Sequence, residues 1–106
     1  MNWQEYENKL KELGYHSDAL DKIKPVFLFA GEAHKNEKRE SGEPYFGHPV
    51  AVSLNIAHLK LDPDAISAAL FHDVVENQGI KIESLKKQFG AEVAFFLQQH
   101  RNDANR

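Results

Sequence analysis

The residues of this chain best suited to chemistry are gathered in one segment, Asp62-Pro-Asp-Ala-Ile-Ser-Ala-Ala-Leu-Phe-His-Asp-Val-Val-Glu-Asn77. Ile66, Ala68, Ala69, Leu70, Phe71, Val74 and Val75 spread apolar side chains around nearly the whole circumference of a helix, the pattern of a helix buried on most sides. Its second half nevertheless holds His72, Asp73, Glu76 and Asn77. His72 and Glu76 are i, i+4 neighbours, as are Asp73 and Asn77, so the four form one polar corner on an apolar rod. Burying a carboxylate without a partner costs on the order of several kcal/mol. A divalent cation suits a clustered imidazole and carboxylate, and His48, at the start of the preceding helix, is placed to supply a third ligand. The alternative is structural: His72 and Asp73 cap a neighbouring helix, or bond each other at a cleft edge.

The elements that must position these residues are read from their caps, turns and apolar spacing. Trp3, Tyr6 and Leu10 line one face of a first short helix that Gly14 ends, and they read as core or interface residues. A second helix is predicted from near Asp21, which puts Pro25 in its first turn, where a missing N–H costs little. Phe27, Ala30 and His34 follow at i, i+3 and i+7, and His34 on this apolar face reads as a satisfied packing residue. Residues 36–46 turn polar and predict an ordered loop with Gly42 and Pro44 as turn residues and with Tyr45 and Phe46 anchored on the core. Pro49 directs His48 toward an extended conformation and suits the first position of a helix, which Val50, Leu54, Ala57 and Leu61 then continue. Asp62-Pro63 repeats the start signal, with Asp62 as cap, and that helix should run to about Asn77, with Gly79 as its stop. Ile82, Leu85 and Phe89 suit a short helix ended by Gly90, and Val93, Phe96 and Leu97 a last one. The polar tail from His100 to Arg106 is expected to fray. No segment alternates apolar and polar residues for long, so the predicted fold class is all-α, one domain over 1–106.

Composition narrows the function classes. The chain has 106 residues, 42% hydrophobic and 27% charged, with a net charge of −3. That is enough for one core, and the weak acidity provides no basic face for DNA or RNA. The absence of cysteine excludes disulfides and thiolate zinc sites. Apolar runs such as Val26 to Ala30 are far short of a membrane span, and the N-terminus lacks the basic and apolar regions of a signal peptide, so a cytoplasmic protein is expected. Lys35, Lys38 and Arg39 form a basic stretch that can meet phosphates. With Glu37 and Glu40 nearby, the lysines read equally well as a solvated loop. His16, His58 and His100 read as surface residues.

Four segments together carry a family resemblance: Ala33-His34, Arg39-Glu-Ser-Gly-Glu-Pro-Tyr-Phe-Gly-His-Pro49, Ala68-Ala-Leu-Phe-His-Asp-Val-Val-Glu76 and Phe89-Gly-Ala-Glu-Val-Ala94. In this order and spacing, over about residues 20 to 97, the chain resembles the pyrophosphohydrolase domain of the RelA/SpoT family. The resemblance implies an HD-type orthogonal helical bundle that binds one manganese or other divalent ion and removes pyrophosphate from the 3′ position of guanosine tetra- or pentaphosphate. It implies that His48, His72 and Asp73 are metal ligands and that Glu76 is the first carboxylate of a Glu-Asp pair that helps activate water. By the same resemblance Arg39 packs on the guanine base and Ser41 lies in the base-contacting segment, so that the loop from Lys38 to Tyr45 borders the nucleotide. Such chemistry is physically coherent, since a metal lowers the pKa of water and clamps phosphate oxygens while a carboxylate takes the proton.

The chain departs from the family pattern in places that bear on activity. The family's Glu-Asp is Glu76-Asn77 here, and an asparagine cannot accept a proton as a base. The family's basic residue after the arginine is Glu40. The family takes a fourth metal ligand, an aspartate, from helices downstream of the Phe-Gly-x-x-Val-Ala segment, and the only late aspartate here, Asp103, sits in a polar tail and reads as solvated. Three functions therefore stand: a metal-dependent guanosine polyphosphate hydrolase of weak or absent activity, a degenerate HD module that binds nucleotide or a partner protein, and a piece of a longer bifunctional alarmone enzyme. Without the downstream helices, the apolar helix from Pro63 to Asn77 is expected to need cover from a homodimer or partner chain on the face near Phe71, Val75, Phe95 and Phe96.

Overall fold

The computed structural model describes residues 1–35, 42, 46–77 and 80–104, with the backbone alone at Asp73, Glu76, Asn77, Phe96 and 99–104. These residues form six helices, α1 (Trp3–Glu12), α2 (Ser17–His34), α3 (Gly47–His58), α4 (Pro63–Asn77), α5 (Ile82–Phe89) and α6 (Ala91–Ala104), and among the described residues there is no strand. The all-α expectation holds. None of the described helices is long and apolar enough to cross a membrane.

Local signals account for most of the boundaries. Asn2 caps α1 by a reciprocal box: its side chain accepts the Glu5 N–H, and the Glu5 carboxylate accepts the Asn2 N–H. Asp62 accepts backbone N–H groups from Ala65 and Ile66 at the start of α4, with Pro63 first in the helix as its sequence predicts. Gly90 ends α5 with φ +108° and ψ 163°, a backbone region essentially closed to residues with a Cβ.

Several boundaries differ from the sequence reading. Helix α2 starts at Ser17 rather than near Asp21, so Pro25 lies in its interior. Proline there removes a bond to the Asp21 carbonyl, but Asp21 and Pro25 are both exposed, so water can satisfy that oxygen. Helix α3 begins at Gly47, and His48 is helical rather than extended. Its first closing bond runs from the Val50 N–H to the Phe46 carbonyl at 3.2 Å, which leaves Pro49 in the first turn, where no N–H is required. The same helix ends at His58, short of Leu61, because Lys60 adopts the left-handed conformation, φ 59°. Helix α6 continues to Ala104 where fraying is expected from His100, in a stretch free of glycine and proline.

Helix α4 is the hub, packed against α2, α3 and α6. Ile66, Leu70, Phe71 and Val74 on it have no exposed surface. Two aromatic clusters brace the bundle. Phe29 of α2, Phe71 of α4 and Phe89 of α5 form a triangle with ring centroids 4.9 to 5.7 Å apart. Trp3, Tyr6, Phe27 and Phe46 form the other, so Tyr6 is a core residue and Trp3 and Phe46 pack against the core. Polar ties complete the packing. The Ser53 hydroxyl donates to the Val50 carbonyl at 2.7 Å, so the Tyr6 hydroxyl, 2.7 Å away, donates to Ser53. Lys22 of α2 meets the nearly buried Asp64 of α4 at 2.6 Å.

Candidate functional site

The turn 59–62 sends α4 back alongside α3. The start of α3 therefore lies beside the end of α4, and His48 and His72, 24 positions apart in the chain, line one cavity of about 460 Å³. Helical spacing explains the shape of this cavity. On α3, Val52 and Ile56 follow His48 at i+4 and i+8; on α4, Ala65, Ala68 and Ala69 precede His72 by one and two turns. The small alanines leave room in front of His72, and the α3 side supplies an apolar wall. Leu97 of α6 lines the same space.

His48 is exposed and His72 half-buried, with the His72 Nε2 buried. Asp73, Glu76 and Asn77 share the last turns of α4 with His72, but their side chains lie outside the described residues. Among the described residues no group of three His, Asp or Glu side chains forms a cluster that could hold a metal ion. Two histidines that line one cavity are nevertheless donors of a class that iron and zinc sites use, and a carboxylate on the same helix end is the complement that manganese sites favour. Lys38, Arg39, Ser41 and Tyr45 also lie outside the described residues.

His34 is 1% exposed and stacks on Phe46 with centroids 6.3 Å apart, a packing position as its sequence context implies, while His16 and His58 are on the surface. One expectation fails. Phe71 belongs to no uncovered face: it has no exposed surface, because Phe29 and Phe89 close over it. Phe95 on α6 is 61% exposed. The apolar walls of the cavity escaped the sequence reading, although an alanine stripe leading to His72 was a usable sign of open space beside it.

Comparison with known proteins places the chain. Residues 27–103 match the HD domain family. The chain is 38% identical over 87 residues to the bifunctional (p)ppGpp synthase/hydrolase SpoT of Escherichia coli, a match that covers 82% of this chain and 12% of that protein. It is 52% identical over 67 residues to the guanosine-3′,5′-bis(diphosphate) 3′-pyrophosphohydrolase of Haemophilus influenzae, covering 63% of this chain and 10% of the relative. A GTP pyrophosphokinase of Myxococcus xanthus is 41% identical over 84 residues, covering 78% and 11%. The chain thus spans about a tenth of the length of the curated relatives it matches.

Proposed function

This chain belongs to the HD domain family, and we propose that it is a metal-dependent phosphohydrolase-type domain directed at the 3′-pyrophosphate of guanosine tetra- or pentaphosphate, with low turnover. The observation that carries this reading is the meeting of His48 and His72 in one cavity, in a chain similar to a guanosine-3′,5′-bis(diphosphate) 3′-pyrophosphohydrolase. His48, His72 and Asp73 would hold one divalent cation, for which manganese is the first candidate. When bound, such a cation supplies Lewis acidity toward a phosphate ester and toward water. Glu76 would help activate the attacking water as the first member of a pair, and Asn77, in place of the second carboxylate, would only hydrogen-bond it. Arg39 offers a planar cation for stacking on a base, and the loop through Lys38, Ser41 and Tyr45 would border the nucleotide.

Asn77 also favours a second reading, in which the domain binds nucleotide without turning it over. Loss of a positioned general base costs ~10²- to 10⁴-fold in rate. Titration of the purified chain with manganese, followed by an assay of pyrophosphate release from guanosine tetraphosphate, separates the two. Metal binding with slow release supports the hydrolase, nucleotide binding without release supports the module, and a chain that takes up neither metal nor nucleotide refutes both. Arg39→Ala is expected to weaken guanosine nucleotide binding and leave metal content unchanged; equal nucleotide affinity in the variant would remove Arg39 from the site.

A further inference from the structure

Helix α2 presents a seat for one aromatic ring of the segment that leads into α3. A Cβ added at Gly31 would stand 3.1 Å from Cε2 of Phe46 and 3.5 Å from its Cδ2, closer than a methyl group tolerates without displacing the ring. The same ring packs edge-on against Phe27, with centroids 5.1 Å apart at 65°, and stacks with His34 at 6.3 Å and 25°. Phe27, Gly31 and His34 fall at i, i+4 and i+7, three levels of one face of α2. Phe46 is also the N-cap of α3, where its carbonyl accepts the Val50 N–H at 3.2 Å and no side chain caps the helix. His48 lies two residues further, in the same first turn. The seat of the Phe46 ring therefore stands where a side-chain cap would otherwise fix the direction of that turn.

We propose that Gly31 is a positioning residue for His48: by having no side chain it lets the Phe46 ring lie against α2, which sets the first turn of α3 and aims His48 into the cavity it shares with His72. The proposal rests on the reading of His48 as a metal ligand given above. Alanine is the better helix former, but its Cβ requires the Phe46 ring to shift by a few tenths of an ångström, at a cost in packing that opposes the gain. The His48 resonances, rather than the stability, are therefore what separates positioning from a merely structural role.

The test compares the whole chain with Gly31→Ala, Phe46→Leu and the double variant. Three quantities are read: the His48 ring resonances by NMR without metal, manganese affinity by titration, and the thermal midpoint. Gly31→Ala is expected to shift the His48 resonances and to weaken manganese binding ~10-fold, as losses of support around a ligand do, while the midpoint shows that the variant is folded. In the Phe46→Leu background the smaller side chain makes room, and Gly31→Ala should cause no further loss. Unchanged His48 resonances in Gly31→Ala, whatever the midpoint, or losses that simply add in the double variant, overturn the proposal. A parent chain that binds no manganese refutes the metal reading instead, and the His48 resonances then still decide the positioning role.

Discussion

His48 and His72 reach one cavity because a turn folds α4 back on α3, so each imidazole depends on its partner helix for its meaning. His48→Ala and His72→Ala are each expected to abolish manganese uptake, with little loss of fold for the exposed His48 and a larger one for the half-buried His72. Retained stoichiometric uptake in either variant would show that the metal, if any, sits elsewhere. Tyr6 answers to a different variable. Burial holds its hydroxyl well above the usual value of 10.0, against a lesser opposite effect of the hydrogen bond with Ser53. A group raised in the folded chain keeps its proton while the unfolded chain gives it up. Stability is therefore intact below about pH 10 and falls as pH climbs from there toward the folded-state value. Tyr6→Phe should cost about 1 kcal/mol at neutral pH, because one buried hydrogen bond is lost while Ser53 still bonds the Val50 carbonyl. It should also flatten the alkaline limb, leaving the smaller slopes of Tyr15 and Lys22, which shift in the same direction. Urea unfolding at about pH 8 and about pH 10.5 measures both effects; equal losses in parent and variant would count against the assignment.

At the scale of elements, the α2–α4 junction is asymmetric. Lys22 is half in water, whereas Asp64 is nearly buried. The hydrogen bond to Asp64 raises the Lys22 amine above its usual value. Lys22→Met should strand a buried carboxylate and cost about 1–2 kcal/mol, while Asp64→Asn leaves an amine free to swing into solvent and should cost less than about 1 kcal/mol. Chemical denaturation of the two variants checks the order, and a larger loss for Asp64→Asn would reverse this account. The same junction shows what a sequence discloses. The start of α4 is legible because Asp62-Pro63 carries a cap and a pre-set φ, and the end of α5 because Gly90 needs a conformation other residues avoid. The start of α2 is not, because its N-cap is His16, which makes no side-chain cap, and Pro25 mimics a first-turn proline. The polar corner of α4 is visible as charge within an apolar run. The cavity in front of it is not, since its walls come from Val52, Ile56 and Leu97 on other helices, and no local pattern says that they meet Ala65 and Ala69.

For the whole molecule the question is what α6 presents to its surroundings. Leu97 and Val93 point inward, 4% and 1% exposed, and Phe95, about 160–200° around the helix from them, has 61% of its surface in water. It borders an open groove between α5 and α6 that Ile82, Ala91 and Ala94 line, with Lys86 and Glu92 at its sides. A two-fold pairing brings the same patch of two copies together, so a face that holds a ring, a groove and both charge signs can satisfy itself: the ring of each copy enters the groove of the other, and Lys86 meets Glu92 across the axis. Large aromatic side chains contribute heavily to such contacts, about 2 kcal/mol or more at the centre of an interface. Homodimerisation through this face is therefore the expected behaviour at micromolar concentration, with Phe71 taking no part. The folded chain has a Cα radius of gyration of 13.1 Å, so a monomer and a dimer are well separated by small-angle scattering. Phe95→Lys should convert the dimer to a monomer without lowering the thermal midpoint at low concentration, since the ring lends little to the core of its own chain. A parent that scatters as a monomer at the highest soluble concentration, or a Phe95→Lys variant that still pairs, would remove this face as the interface.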